Sequence, residues 1–444
     1  MNLGLSGCAT YQSAPLDSTE YHKSWVKRSP DSKSVIDFAS QLAKPLSPYD
    51  PSDGIQRIEA EIIALHFNPK LHAERQKAKI YAKGIPYADL WDDPTLSMDL
   101  VRILENVQHD WLGGASLEWT LPISGRLAKQ KDKAVSQAYA ALTEIVVEEN
   151  SLIKQLRESW LLWSIYLQRV ELNQAFLEEI DKINRIAQNL VQAGEISRVQ
   201  ARVFSIEHSN ITYQIQKLKR NIEQEQTRIK SILGFIPDAP IQLIPSLEQE
   251  SGANLESNWQ DLLTAQNPLL AYHQAHYDLA EKDLELKIRK QYPDINLGTG
   301  FASEEGDPRL ALGISLPIPL LNRNRKAIAE AQATRDAERA AWEAAYQQLI
   351  SDYQIAQLSL LESQERYEYL TTNLAPLIDQ QVEEQLSLAQ LGELDVLLFL
   401  DAIKEAHNTK LDILDARHDE AMAQINIQSF FEQDFSLKNN KTEN

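Results

Sequence analysis

The chain has 444 residues, and its 44 Lys and Arg against 64 Asp and Glu give a formal net charge of −20. This balance argues against a nucleic-acid partner, because phosphate binding needs a basic face. No run of 18 or more apolar residues is present, so the sequence predicts either a soluble protein or one that meets a membrane through β-strands.

The only cysteine, Cys8, lies in the N-terminal run Leu5-Ser6-Gly7-Cys8-Ala9. This run is similar to a bacterial lipobox, in which the cysteine becomes the acylated first residue of the mature protein. Only seven residues precede Cys8, with neither a charged region nor an apolar region of the expected length. A lipid anchor at Cys8 therefore requires that the true start lies upstream of Met1, and the alternative is a chance match near a frayed terminus.

The next part of the chain predicts an arm, a helix and two strands. Residues 9 to about 52 are rich in Ser, Pro, Asp and Lys without periodicity, which indicates an extended arm. A helix is expected from about Ile55 to Lys83, with a fresh start at Pro69, because proline is tolerated in the first turn of a helix but not inside it. Between residues 94 and 121, two runs alternate strictly between apolar and polar residues, as in a strand with one apolar face.

A long helical hairpin follows the strand pair. From about Ser124 to Gln192, apolar residues recur at steps of three and four, which is the pattern of a coiled-coil seam. Gly194 is expected to stop this helix in the left-handed conformation, and an antiparallel helix then returns to Gly234.

The second half repeats the landmarks of the first half in the same order. Asn68-Pro69 recurs as Asn267-Pro268 and Pro94 as Pro293, both 199 residues later; Leu121-Pro122-Ile123 recurs as Leu316-Pro317-Ile318, 195 later, and Gly194-Glu195-Ile196 as Gly392-Glu393-Leu394, 198 later. A solenoid unit is much shorter than this period, so the pattern indicates a duplicated half-molecule. The slip of four residues between Pro94 and Leu121 is typical of a loop.

The sequence therefore predicts a mainly α-helical fold with a small β part. The expected segments are an N-terminal lipobox and extended arm (1–52), a first repeat (53–236), a proline-bearing linker (237–257), a second repeat (258–433) and a disordered C-terminal tail (434–444). The repeats contain the strand pairs 94–121 and 293–318, and their long antiparallel coiled-coil helices turn at residues 194 and 392.

Four strands cannot close a wall in a membrane, because lipid offers no partner for bare backbone N–H and C=O groups and the smallest known outer-membrane barrels need eight strands. Two copies would supply eight strands and a filled barrel, whereas three would supply twelve and leave room for a channel. Trp111 and Trp119, with Trp91 just outside a strand, are expected to anchor such a wall at the membrane interface. The alternative for each is packing within a soluble sheet.

From about Ile55 to Phe431, the chain resembles the TolC-type outer-membrane efflux factors. The family opens each repeat with Asn-Pro-x-Leu, which is found at 68–71 and 267–270. Its second-half signature, Pro-x-Pro-Leu followed by Asn-Arg-Asn, is found at 317–324. The first-half exit, Leu121-Pro122-Ile123-Ser124-Gly125-Arg126, is similar to the heavy-metal, CzcC-like branch.

The resemblance implies a homotrimer in the Gram-negative outer membrane, with a shared twelve-stranded transmembrane β-barrel and a helical tunnel in the periplasm. It implies a passive exit duct of a tripartite efflux system for heavy-metal cations or small toxic compounds. The partners would be outer-membrane lipid, a periplasmic adaptor (membrane fusion protein) and an inner-membrane pump. Family members are often lipidated at an N-terminal cysteine, which is consistent with Cys8.

The resemblance also implies a periplasmic gate of aspartates shortly after the second hairpin turn. Asp401 matches the family position, and three copies would form a carboxylate ring that attracts cations. Leu398 replaces the companion aspartate, so Asp395 is the substitute candidate. The alternative is that Asp401 is a solvated helix residue. The hairpin tips implied to dock the adaptor are Gly194, Glu195, Ile196, Gly392, Glu393 and Leu394.

The sequence contains no catalytic or metal-binding signature. There is no Walker loop, nucleophile elbow or Gly-rich dinucleotide turn, and the nine histidines are dispersed. We therefore expect no enzyme activity, no cofactor and no metal site. A type I secretion tunnel is the alternative within this class, and a soluble coiled-coil scaffold or adaptor is the alternative from a different class.

Overall fold

In the computed structural model of the chain, residues 11–42, 49–102, 104, 111–247, 258–304, 307–390 and 395–431 are described. Predictions about Cys8, Gly392, Glu393 and Leu394 concern residues outside these ranges. The helices are α1 (Ser18–Val26), α2 (Lys33–Gln41), α3 (Arg57–Phe67), α4 (Pro69–Gly84), α5 (Arg126–Ala193), α6 (Arg198–Ile232), α7 (Trp259–Gln266), α8 (Pro268–Arg289), α9 (Arg325–Tyr369), α10 (Ala375–Gln390) and α11 (Val396–Ser429), and the strands are β1 (Thr95–Arg102), β2 (Trp111–Leu121), β3 (Ile295–Glu304) and β4 (Asp307–Ser315).

The order of these elements confirms the predicted fold class, a mainly helical chain with one small sheet. It also shows the duplication, because α4 and α8 begin 199 residues apart, as do α5 and α9. No helix in the described part of the chain has the length and apolar character needed to cross a membrane.

The described residues form two compact units, and α5 contributes to both. The first unit contains the chain up to Asn68 together with Leu156–Leu247. The second contains Pro69–Gln155 and the described residues from 258 onward. The boundaries of these two units differ from those of the sequence repeats, so the predicted boundaries of the repeats stay a prediction.

The N-terminal arm of the first unit is less extended than expected. It contains the short helices α1 and α2, and Asp17 caps α1 by accepting from the backbone N–H groups of Thr19 and Glu20. Trp25 Nε1 donates to the carbonyl of Gly234 at 2.9 Å, and Arg28 Nη1 donates to the same oxygen at 2.7 Å. These two donors attach the arm to the end of α6.

A buried ionic group lies in the core of the first unit. Glu61 accepts from Arg57 Nη1 at 2.6 Å and from Arg157 Nε and Nη2 at 2.7 and 3.0 Å. All three side chains are buried, with Glu61 only 1% exposed. Because Arg157 binds Glu61 through two parallel hydrogen bonds, this contact fixes how α5 approaches α3. Both guanidinium groups bind the same carboxylate.

The repeated Asn-Pro pair marks an equivalent junction in each half. In the first unit, Asn68 Nδ2 donates to the carbonyl of Ile232 at the end of α6, at 3.0 Å. In the second unit, Asn267 Nδ2 donates to the carbonyl of Phe430 just after α11, at 2.7 Å. The Asn267 side chain also caps α8 by accepting from the Leu270 N–H. In each half, the Asn side chain of the motif therefore holds the end of the return helix.

The two long helices differ in their continuity. α5 runs unbroken for 68 residues, as predicted. The second was expected to run from Arg325 to about Leu391, but α9 passes into a π-helical turn at Leu370–Leu374 before α10 begins. Pro376 explains the difference, because it lacks the N–H that would continue the ladder and its ring would meet the carbonyl four residues earlier. The residue 199 positions earlier is Leu177, so α5 carries no such constraint.

The four strands form one antiparallel sheet in the order β1-β2-β3-β4. β1 pairs with β2 within the first half, and β3 pairs with β4 within the second half. The halves are joined by β2 and β3, whose register runs from Leu121 opposite Ile295 to Gly114 opposite Ala302. The predicted strand pairs thus share a single sheet with two open edges.

Candidate functional site

The register of the sheet collects its apolar side chains on one face. Directly paired residues point to the same side, and one row crosses all four strands from Met98 through Ala115 and Phe301 to Leu310. A second row runs from Leu96 through Leu117 and Thr299 to Leu312. We call this side the apolar face, and it confirms the alternation seen in the sequence.

The opposite side, the polar face, carries small and polar side chains. One of its rows is Ser97, Ser116, Gly300 and Ala311, and another is Thr95, Glu118, Gly298 and Gly313. Asn296 also lies on this side, where its Oδ1 accepts from the Thr120 hydroxyl at 2.9 Å. The sheet therefore separates an oily surface from a hydrophilic one.

The apolar face is exposed to solvent in the single chain. Met98 is 75% exposed, Leu310 74% and Leu312 82%, and every residue of β1 and β4 is exposed. Contiguous apolar surface of this kind is typical of a site that meets lipid or another protein. The outer edges of β1 and β4 also present backbone groups without a strand partner within the described chain. Burial of this face in lipid would require those edges to be paired.

The tryptophans expected at a membrane interface lie near the two ends of the sheet. Trp111 and Trp119 both lie on the apolar face, at opposite ends of β2, and are 52% and 40% exposed. Trp91 precedes β1 and is 62% exposed. The guanidinium of Arg102 lies 5.5 Å from the Trp111 ring. The interfacial role of the three tryptophans stays a prediction.

Ionic contacts join the base of the sheet to the start of α5. Arg126 Nε donates to Asp294 at 2.5 Å, and Arg126 also binds Asp92. Burial raises the pKa of Asp294, but hydrogen bonds from Arg126 and Ser124 outweigh it and leave the pKa below its ordinary value. This contact therefore contributes stability above the ordinary carboxyl pKa, and the contribution is lost as pH falls through the lowered pKa.

The first hairpin tip has the predicted geometry. Gly194 has φ of 81°, and Glu195 N–H donates to the carbonyl of Leu190 at 2.9 Å, which is the bonding of a left-handed helix stop. The return helix then begins with a capping box between Ser197 and Gln200. Glu195 is exposed and Ile196 is half-buried. The turn at Gly194 is confirmed, and adaptor docking stays a prediction.

The two aspartates proposed for the gate have different surroundings. Asp395 is the N-cap of α11, where its Oδ1 accepts from Leu397 N–H at 2.9 Å and Leu398 N–H at 3.2 Å. Asp401 lies on an exposed position of α11, beside the buried Leu400 and Ala402. The capping role of Asp395 was missed in the sequence, although an aspartate directly before an apolar helix is a start signal.

Other polar contacts were also missed in the sequence. Arg57 and Glu61 are four residues apart on one helix, but Arg157 lies 96 residues from Glu61, too far for a local motif to link them. The Arg126–Asp294 contact spans 168 residues, although Arg126 follows the predicted strand exit directly. Within the ranges that the structure describes, no group of three His, Cys, Asp or Glu side chains could hold a metal ion.

Comparison with known proteins gives matches to solved structures only. No family model and no curated protein matches the chain. The outer-membrane channel OprN superposes with a TM-score of 0.75 at 16% identity, over 92% of this chain and 98% of that chain. CusC, whose structures concern transmembrane channel formation, superposes with a TM-score of 0.73 at 14% identity, over 85% of this chain and 92% of that chain. The outer membrane protein VceC from Vibrio cholerae superposes with a TM-score of 0.71 at 14% identity, over 84% of this chain and 95% of that chain.

The chain therefore has the fold of the TolC-type outer-membrane channels, as the sequence resemblance predicts. The likeness extends over most of each of these chains.

Proposed function

We propose that the chain is one subunit of an outer-membrane exit duct, in which several copies pool their strands into a closed wall. The observation that carries this proposal is the continuous, exposed apolar face on a sheet with two open edges. Lipid would cover that face, and neighbouring copies would pair the edges of β1 and β4.

Three copies suit this role best. Twelve strands leave an interior wide enough for a channel, whereas eight strands give a barrel filled by its own side chains. The polar face would then line the channel. Its glycines at 114, 298, 300 and 313 have no side chains to fill the interior, which favours an open channel over a packed barrel.

The remaining parts of the proposal follow the resemblance. The helices would form a periplasmic tunnel whose tips, at Gly194 and Gly392, meet a periplasmic adaptor coupled to an inner-membrane pump. Cys8 would carry a lipid anchor. The substrates proposed are heavy-metal cations or small toxic compounds, and the protein would conduct them passively. Type I secretion of a protein substrate is the second candidate within this class.

Planar bilayers test the channel role directly. Addition of the detergent-solubilised full chain is expected to give stepwise increases of conductance, because each inserted assembly opens one water-filled path. A chain that purifies without detergent as a monodisperse species and never inserts would contradict the proposal and favour the scaffold alternative.

Asp401→Asn is expected to reduce the cation preference of those channels by about threefold at low salt, because three carboxylates near one axis attract cations together. The measurement is the reversal potential under a KCl gradient. Asp395→Asn tests the second gate candidate in the same assay, since asparagine also caps helices well and the substitution removes the same charge. Unchanged selectivity in Asp401→Asn would count against a gate at this residue.

A further inference from the structure

The base of the sheet in the second half carries a cluster of cations beside exposed apolar residues. We define the basic collar as the side chains of Arg289, Lys290, Arg323, Arg325 and Lys326, which are all exposed. We propose that the basic collar and the adjoining loop bind anionic phospholipid headgroups at the inner-leaflet surface of the membrane. This inference rests on the proposed membrane role of the sheet.

The loop after β4 provides the apolar part of this surface. Leu316 and Ile318 are 50% and 71% exposed, and Leu320 and Leu321 are 69% and 94% exposed. The even-numbered apolar positions of the strand, such as Leu312 and Ile314, thus continue beyond its end as Leu316, Ile318 and Leu320. Such side chains can enter the boundary between headgroups and acyl chains.

The backbone holds the cations close to this loop. Arg323 and Asn324 have φ of 48° and 55°, which reverses the chain sharply at the start of α9. Asn324 Nδ2 donates to the carbonyl of Lys287 at 2.8 Å and so joins the start of α9 to the end of α8. Arg323 Nε donates to the carbonyl of Pro319 at 3.2 Å. Both basic helix ends therefore lie beside one apolar loop.

The start of α5 has two neighbouring carboxylates that the start of α9 lacks. Arg126 opens α5 and binds the two carboxylates of Asp92 and Asp294. Arg325 opens α9 at the corresponding position, but the residues 199 positions from Asp92 and Asp294 are Gln291 and Thr95. The two carboxylates that neutralise the first site are therefore absent from the repeated positions.

Nearby acidic residues compensate the collar only weakly. Lys326 lies 3.7 Å from Glu330, and both side chains are largely exposed, at 87% and 66%, so solvent screens the pair. A concentration of cations is also unusual in a chain whose net charge is −20. Phosphate complements this surface, because guanidinium groups bind it in a bidentate manner and basic side chains beside a membrane attract anionic lipid.

The position of the collar favours lipid over other anions. The loop begins where β4 ends, at the same end of the sheet as Trp119, which pairs with Leu297 at the start of β3. A surface with apolar residues beside cations, placed where the apolar face of the sheet stops, matches the headgroup layer.

Fluorescence titration of the detergent-solubilised full chain tests this inference. NBD-labelled phosphatidylglycerol is expected to bind at least tenfold more tightly than NBD-labelled phosphatidylcholine with the same acyl chains, and the difference should shrink as salt is raised. The variant Arg323→Gln/Arg325→Gln/Lys326→Gln should lose on the order of 10- to 100-fold in affinity for phosphatidylglycerol. The matched control, Lys217→Gln/Lys219→Gln/Arg220→Gln, removes three exposed cations from α6 and should bind as the wild type does.

Equal binding of both lipids by the wild-type chain would overturn the inference, and a protein partner would then be the better candidate for this surface. An unchanged affinity in the collar variant would overturn it as well. If the collar variant does not fold, the salt dependence and headgroup preference of the wild type still decide the question. Stepwise conductance without a phosphatidylglycerol preference would contradict this inference alone, whereas failure to insert into any bilayer would contradict the proposed function.

Discussion

Leu312→Arg is expected to abolish stable insertion into a membrane, whereas Ala311→Arg, one residue away, is expected to be tolerated. Leu312 lies on the apolar face and is 82% exposed in the single chain. An arginine on the lipid face of a barrel costs about 2–4 kcal/mol at the bilayer midplane, and a trimer would carry this cost three times. Ala311 lies on the polar face between Gly300 and the open edge of β4, where an arginine would reach water.

Proteoliposomes provide the measurement for this pair of variants. The fraction of chain that resists alkaline extraction and protease should fall sharply for Leu312→Arg and remain near the wild-type level for Ala311→Arg. Because the two variants gain the same charge in the same strand, an equal loss would show that the two faces are not distinguished by lipid. That outcome would reject the proposal that the apolar face contacts lipid.

Glu61→Gln is expected to destabilise the first unit by about 3–5 kcal/mol, because removal of one member of a buried ionic group weakens the compensation of the buried charges that remain. Here two buried guanidinium groups, those of Arg57 and Arg157, would lose their common carboxylate. The change in volume is negligible, so the effect isolates charge from packing. Urea denaturation followed by tryptophan fluorescence suits the measurement, since Trp160 and Trp163 are buried in the same unit.

Glu223→Gln is the control for that experiment. Glu223 lies 3.2 Å from Arg220 on the exposed side of α6, with 65% and 78% of the two side chains exposed. Exposed pairs of this kind contribute little to stability, so the urea midpoint should move only slightly. If Glu61→Gln shifts the midpoint no more than Glu223→Gln does, the buried group is not an important source of stability.

Periodic features of this chain could be predicted from the sequence because they repeat along it. The alternation in β1 to β4 predicted the two faces, and the left-handed stop at Gly194 follows from one glycine between two helical patterns. The repeated pair Asn267-Pro268 was also visible in the sequence. The hydrogen bond from Asn267 to Phe430, which lies 163 residues away, was not. Local periodicity therefore predicted elements and faces, but not the contacts that join them.

Features that depend on tertiary contacts were missed. Glu61 appears in sequence as one acid on an amphipathic helix, and nothing local indicates that Arg157 will meet it. The helices α1 and α2 have only nine residues each, too few for a helical period to stand out, and Trp25 and Arg28 attach this arm to α6. The π-helical turn had a local signal in Pro376, but the sequence could not show whether the chain would kink, stop or widen there.

Disulfide trapping between copies tests the central claim, that neighbouring chains join β4 to β1, most directly. Within one chain Trp119 pairs with Leu297. The 195-residue spacing of the strand exits relates Trp119 to Ile314, and the 199-residue spacing of the strand starts relates Leu297 to Met98. Ile314→Cys with Met98→Cys should therefore give covalent dimers and trimers in oxidised native membranes, since facing residues lie about 5 Å apart. Ile314→Cys with Ser97→Cys, which places one cysteine on the polar face, should give none. Absence of crosslinks from Ile314→Cys to Met98→Cys and to its same-face neighbours Leu100→Cys and Arg102→Cys would contradict the shared wall.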